Sequence, residues 1–410
     1  MYILKSSKAT TQKTFFWNMT GSISNAVNTL LMTMVITRFC GATTAGLYAL
    51  ALAVAEMLGP ITTFQIRNYQ ASDIKSNFNF TDYFITRIVT TFIAFSIAIG
   101  WIFFHGYSVE KAIFIILCTI FKLVEAFEDV LGGHLQLHEH LDVAGKIFSF
   151  RVIIDTILFI LLLYFTSNLF LSYTIYIIFA ILWTIFITYP YANAYIHHKH
   201  LNIKQVALLI KDCLPICITQ FLIAYIMSSP KYALDKYYSS EYQTYFAAIF
   251  MPASVVNLFT SVVYRIYITN MAIQWSNNKR AEFNRKIIGI IGIIFIIGIF
   301  SIICGWVLGI PVLSWFYALP ELNAYKKDLI IILIGGTFSA ITNWLGTIFT
   351  IIRKQQTMLY INIFTFVLSL VFINPLVKEL GMMGATLSYM ILMMIIALIQ
   401  LITYFIIEKG

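Results

Sequence analysis

Lys122 stands near the middle of an apolar run, 111–133, and Glu125, Glu128 and Asp129 follow it on the same stretch. The next apolar run carries Arg151 and Asp155, and an earlier one carries Arg87. An ion at membrane depth costs about 2.5–3.5 kcal/mol on insertion scales, and such groups normally face a bundle interior or a water-filled cavity. Lys122, Glu125 and Asp129 are spaced i, i+3, i+7 and share one helix face, with Glu128 beside them. Arg151 and Asp155 form an i, i+4 pair. Charged groups in this arrangement suit the binding and movement of a charged or polar solute. They also suit structural ion pairs between helices, Lys122 with Glu125 or with Asp155.

The elements that must hold these residues are membrane spans. The chain has 410 residues, is 60% hydrophobic and only 11% charged, and has a mean hydropathy of +0.84. Apolar runs of the length needed to cross roughly 30 Å of hydrocarbon recur throughout. Twelve spans are expected, at 14–38, 43–66, 83–104, 111–133, 146–166, 171–195, 209–229, 242–268, 287–307, 328–350, 357–373 and 382–407. With the N-terminus inside, sixteen of the 27 Lys and Arg residues fall on the inner side and seven on the outer, with Arg87, Lys122, Arg151 and Arg265 in or near spans. That excess puts both termini in the cytoplasm. The fold class is therefore an all-α polytopic membrane protein, and the net charge of +9 reflects topology and contact with anionic membrane lipids, with no nucleic-acid partner implied.

Other classes are disfavoured. Lys5, Lys8 and Lys13 precede a polar, full-length span with no small-residue cleavage pattern, so no cleavable signal is expected. The five cysteines show no metal-type spacing and read as packing residues. His134, His138 and His140, and His197, His198 and His200, fall near headgroups, where solvation or contact with lipid phosphate is a simpler role than a metal site. No nucleotide-binding Gly-rich loop is present, no cofactor is expected, and the loops are too short for a catalytic domain, so the chain does not read as an enzyme.

A weak internal repeat divides the spans into two halves. Shifting the chain by 197 places 38–48 over 235–245, each a short external hairpin after the first span of its half and each ending in a tyrosine. Six spans per half give lobes at 1–205 and 206–410. Pro60, Pro215 and Pro252 lie in the paired opening spans and suit either hinges or static kinks.

At this point the chain resembles a known family. Thr37-Arg38-Phe39-Cys40-Gly41 and the segment from Ala45 to Ala53 look like the start of polysaccharide repeat-unit flippases of the multidrug/oligosaccharidyl-lipid/polysaccharide exporter superfamily. Leu214-Pro215 and then Ser228, Ser229, Asp235, Lys236, Tyr237 and Tyr245 are similar to the second-half hairpin of that family, although Gln243-Thr244 replaces the usual Gly-Ile or Gly-Leu. The stretch from Phe64 to Asp73 also resembles the inner loop of Gram-positive capsule and exopolysaccharide members.

The resemblance implies two six-helix lobes around a central cavity, in a multi-pass protein of the bacterial plasma membrane. It implies transport of a polyprenyl-diphosphate-linked oligosaccharide by alternating access, with a polysaccharide polymerase and glycosyltransferases as partners. Under it, Lys122 anchors the diphosphate, joined by Arg151, Arg87 or Arg265 as further cations or as headgroup anchors. Glu125, Asp129 and Asp155 become ion-coupling sites or internal counter-ions. Asn25, Asn257 and Asn343 become sugar contacts or helix-packing groups, in company with Asn18, Ser22, Thr29, Gln220, Ser261, Thr342 and Thr347. A multidrug exporter of the same superfamily and a membrane polymerase or glycosyltransferase are the competing readings. Asn18, Ser22 and Asn25 make the first span unusually polar for a membrane helix.

Overall fold

The computed structural model describes residues 11–72, 78–196, 202–265 and 267–409, and among them every regular element is helical. The chain divides into two compact units, Met1–Phe221 and Leu222–Gly410, and the division falls inside one helix.

The first unit holds α1 (Thr11–Thr63), α2 (Ile66–Ser72), α3 (Phe80–His105), α4 (Val109–Leu137), α5 (Leu141–Thr166) and α6 (Leu169–Trp183). A π-helical turn (Thr184–Thr188), α7 (Tyr189–Asn193) and the start of α8 (Ile203–Tyr237) complete it. The second holds the rest of α8, α9 (Ser240–Arg265), α10 (Ile268–Ser276) and α11 (Arg280–Cys304). It continues through a π-helical turn (Gly305–Gly309), α12 (Ile310–Tyr317), a 3-10 turn (Pro320–Tyr325), α13 (Lys326–Ile351), α14 (Gln355–Leu380) and α15 (Met382–Lys409).

Ten helical stretches among the described residues are long and apolar enough to cross a bilayer. Two features account for the difference from the twelve spans expected. The 53 residues of α1 would extend about 80 Å at 1.5 Å per residue, more than twice the hydrocarbon thickness. Its helix is interrupted at Gly41 (φ 83°, ψ 169°), a backbone conformation that side chains with a Cβ essentially never adopt. The expected spans 14–38 and 43–66 are thus separated by a one-residue break. The second feature is α4, 29 residues long, whose Lys122, Glu125, Glu128 and Asp129 lower its apolarity.

Several expected loops are structured. The stretch 308–327 contains the end of a π-helical turn, α12 and the 3-10 turn, and 269–286 contains most of α10. The α8 helix runs on through Asp235 and Lys236, so only residues 238–239 separate it from α9. In each case local helical hydrogen bonding satisfies backbone groups that a loop would leave to headgroup water.

Small residues set the close approaches. A Cβ on Gly145 of α5 would lie 3.1 Å from the α1 backbone at Trp17 and Asn18, and one on Gly21 would meet the Phe148 ring at 2.9 Å. This is the small-residue packing that membrane helices use where no hydrophobic drive exists between them. On α4 the Gly132-Gly133 pair faces α2, and a Cβ on Gly133 would fall 2.5 Å from Gln70 Oε1 and 3.1 Å from Arg67 Cγ. The pair lets α2 bring Arg67 down onto α4.

Candidate functional site

Among the described residues, ion pairs of the first unit join eight ionisable side chains on four helices. α2 supplies Arg67, α3 supplies Arg87, α4 supplies Lys122, Glu125, Glu128 and Asp129, and α5 supplies Arg151 and Asp155.

Arg151 is the hub. It is only 1% exposed, with Nε 2.7 Å from Glu128 Oε2, Nη1 3.0 Å from Asp155 Oδ2 and Nη2 3.7 Å from Glu125 Oε1. The Phe121 and Phe148 rings lie 5.6 and 5.4 Å from its Cζ, adding cation–π contacts. A guanidinium suits this position because its donors form a fixed planar fork. Thr188, in the π-helical turn, reaches Glu128 Oε1 at 3.5 Å. Such turns recur where a helix must re-aim a side chain at a site.

A second group is centred on Asp129. Its Oδ2 accepts from Arg87 Nη2 at 2.9 Å and its Oδ1 from Arg67 Nη1 at 3.3 Å, while Arg67 Nε donates to Gln136 Oε1 at 3.3 Å. Arg87 is fully buried and also donates to the Thr62 carbonyl at 2.6 Å. Thr62 lies in the last turn of α1, where carbonyls have no helical partner and a cation is favoured. Arg87 therefore caps α1, and the chain reverses through Phe64 and Gln65, both at positive φ, to place Arg67.

Lys122 is more open than Arg151 and Arg87 and less open than Arg67. Its side chain is 24% exposed, and its ammonium donates to Glu125 Oε2 at 2.8 Å. Glu56 of α1 is exposed and adds a further carboxylate to the first unit. Arg67 belongs to the network by its ion pair with Asp129, although by sequence it reads as an inner-loop residue; Glu56 is a further charge inside an apolar run that the sequence reading did not single out. For Glu56 the signal was the one that singles out Lys122, a charge inside an apolar run. For Arg67 it was the glycine pair on α4, visible only once α2 is placed.

Beside this network lies a cavity of ≈ 320 Å³, bordered by Asn18, Ser22, Arg67, Glu125, Glu128, Asp129 and Thr188. Asn18 and Ser22 therefore stand with the charged residues, although both also bond to neighbouring backbone carbonyls. Asn25 is exposed on α1 and its carbonyl accepts from Thr29. Deeper, Asn28 joins Tyr176 (3.3 Å) and Thr156 (2.8 Å), tying α1 to α6 and α5.

In the second unit Asn343 Nδ2 donates to Asn257 Oδ1 at 3.0 Å, so these two predicted residues meet, while Asn257 also bonds its own helix at Ala253 O. Arg265 ends α9, and its side chain lies outside the described residues. Elsewhere in that unit a cavity of ≈ 690 Å³ is lined by apolar side chains of α9, α11, α12 and α13, among them Met251, Phe259, Phe300 and Leu329.

Of the histidines, His140 Nε2 lies 2.8 Å from the Tyr195 hydroxyl and His134 packs on Phe80 at 4.7 Å. His197, His198 and His200 lie outside the described residues. Among the described residues no His, Cys, Asp and Glu group is arranged to hold a metal.

Comparison with known proteins identifies the fold. No protein-family model matches the chain. A Staphylococcus aureus protein, "Capsular polysaccharide biosynthesis protein CapF", is 22% identical over 381 residues, covering 92% of this chain and 94% of that protein. Among solved structures, the MATE multidrug transporter DinF-BH matches with a TM-score of 0.67 at 12% identity, over 97% of this chain and 96% of the other. An inward-facing multidrug resistance MATE family transporter matches with 0.65 at 13% identity, covering 98% and 94%. A MOP superfamily transporter from Pyrococcus furiosus, described as having a binding pocket of reversed polarity, matches with 0.62 at 14% identity, covering 95% and 93%. The chain is a multi-pass membrane protein with the fold of MOP superfamily transporters.

Proposed function

We propose that the protein is a flippase that moves polyprenyl-diphosphate-linked oligosaccharide repeat units from the inner to the outer leaflet of the bacterial plasma membrane, by alternating access, for cell-surface polysaccharide synthesis. Twelve spans, both termini in the cytoplasm and halves at 1–205 and 206–410 belong to this reading. The break at Gly41 and the charged α4 support the span count, because splitting α1 and admitting α4 bring ten stretches to twelve.

The observation that carries the reading is Lys122, a partly exposed lysine in the middle of α4 inside a superfamily fold whose members move solutes across membranes. A diphosphate cannot cross hydrocarbon unaided, and a cation at depth answers that problem. Similarity along nearly the full length to a capsular polysaccharide biosynthesis protein points to the same substrate class. Arg151 and Arg87, both buried, act through their carboxylates, while Asn25, Asn257 and Asn343 offer amides to sugar hydroxyls. Glu125, Asp129 and Asp155 balance the cations and serve ion coupling. Arg265 supplies a second-half cation. A polymerase and glycosyltransferases would work on the same lipid-linked sugar.

Replacing Lys122 by Gln, with insertion and folding verified, tests the anchor directly. Lipid-linked repeat units are then counted on each leaflet, with accumulation expected on the inner one. Export at the parent rate sinks the assignment. A multidrug exporter is the second reading, favoured by the apolar cavity in the second unit. Protection of cells from lipophilic cations, with no change in surface polysaccharide on deletion, would select it.

A further inference from the structure

Glu125 is held between two cations on different helices. Its Oε2 accepts from the Lys122 ammonium at 2.8 Å, and its Oε1 lies 3.7 Å from Arg151 Nη2, an ion-pair distance beyond hydrogen-bond reach. Nη2, like Nε, is buried and has no hydrogen-bond partner among the described residues, and Glu125 is the carboxylate nearest to it. Nη1 donates to Asp155 Oδ2 at 3.0 Å, and Nε stands 2.7 Å from Glu128 Oε2 in an ion pair. Because the fork is rigid, these two carboxylates hold Nη2 pointing at Glu125. One arm of Arg151 is thus aimed at a carboxylate that another cation occupies.

We propose that Glu125 is an exchangeable counter-ion, which neutralises Lys122 while no anion is bound and passes to Arg151 Nη2 when the substrate's diphosphate takes the ammonium. The proposal rests on the diphosphate reading of Lys122. Exposure separates the roles, since Lys122 and Glu125 are 24% and 22% exposed and Arg151 is 1% exposed. The substrate can meet the ammonium but not the guanidinium, so Arg151 is a positioning residue.

The movement is small. Closing Oε1 onto Nη2 from 3.7 Å to an ordinary hydrogen-bond length of about 2.9 Å takes less than an ångström. Without Arg151, a diphosphate taking Lys122 would leave Glu125 unpaired at membrane depth, and that penalty would oppose binding. With it, the carboxylate exchanges one cation for another. The return also drives release, because Glu125 competes with the diphosphate for Lys122.

The test uses the full chain in nanodiscs, titrated calorimetrically with farnesyl diphosphate, with farnesol as the uncharged control. Glu125→Gln keeps the shape and removes the competing charge, so it should bind the diphosphate about tenfold more tightly and turn over more slowly. Arg151→Lys keeps a charge but loses the forked Nη2. It should weaken binding several-fold in the parent and have no effect in the Glu125→Gln background. If Arg151→Lys does not fold, Glu128→Gln, which unpins Nε, takes its place with the same expectation. Unchanged or weaker binding by Glu125→Gln overturns the exchange, as does an equal loss from the Arg151 substitution in both backgrounds. Lys122→Gln separates the two ideas. If it binds as the parent does, the diphosphate reading itself fails; if it binds weakly while Glu125→Gln changes nothing, only the exchange fails.

Discussion

Around Arg151 in the first unit, three carboxylates and two phenyl rings enclose a guanidinium. The core of the second unit instead closes on Trp344, Phe283, Ile287, Ile294, Leu345 and Phe349. An ion pair of the second unit, Lys279 with Glu282, lies on the surface, where it contributes little. Membrane helices gain no hydrophobic advantage from packing on one another, so an apolar core is the cheaper solution. The expensive polar core of the first unit therefore points to a function that needs charge at depth. Buried ion pairs are weak evidence for stability, because desolvation offsets most of their attraction.

Breaking the hub should give the largest effect. Arg151→Met leaves Glu125, Glu128 and Asp155 without their shared cation, and loss of about 3–5 kcal/mol is expected from removing one partner of a buried pair. Thermal unfolding in detergent should show a clear fall in midpoint. A midpoint equal to the parent's would mean that the carboxylates neutralise themselves, and that the first unit does not depend on this ion.

Asp129→Asn should cost less, about 2 kcal/mol, because Asp129 is partly exposed and Arg87 keeps the Thr62 carbonyl. Adding Arg87→Met to this variant should recover part of the loss, since the buried cation is then gone too. Full additivity in that cycle would show that Arg87 and Asp129 do not act as a pair.

A matched pair of glycine substitutions compares the helix contacts of the two units. On Gly336 of α13 a Cβ would lie 2.7 Å from Ala253 Cβ and 3.2 Å from its Cα, so α9 itself must move. On Gly133 the nearest atom is the far end of the Gln70 side chain, which can turn away. Gly336→Ala should destabilise by about 1–3 kcal/mol and Gly133→Ala by about 1 kcal/mol or less. The reverse order in unfolding midpoints would show α2 to be the more rigidly seated element.

Much of this contrast is legible in the amino-acid sequence alone. Lys and Glu inside an apolar run are conspicuous because their cost is high, and pairs within one helix follow from spacing alone, as with Lys122–Glu125 and Arg151–Asp155. Pairs between helices leave no such trace. Arg87–Asp129 and Arg151–Glu128 depend on how α3, α4 and α5 turn their faces, which hydropathy does not encode. Span ends suffered similarly: the helix through 235–237 and the turns between 305 and 325 satisfy their own backbone with residues whose composition suits a loop equally well. Polar residues such as Asn25 and Asn343 were visible as types, but type alone does not separate a sugar contact from a helix clasp.

Asn343 offers the smallest and most discriminating test. Its amide bonds Asn257 across α9 and α13, and membrane hydrogen bonds of this kind average about 0.6 kcal/mol. As a clasp alone, Asn343→Ala should lower the unfolding midpoint slightly and leave export per folded molecule unchanged. As a sugar contact it should slow export of the lipid-linked unit while leaving farnesyl diphosphate binding intact, because that probe carries no sugar. The second outcome would give the second unit a share of the substrate, with the first unit gripping charge and the second reading hydroxyls. The first would leave the substrate assignment resting on the proposed role of Lys122 and its carboxylates alone.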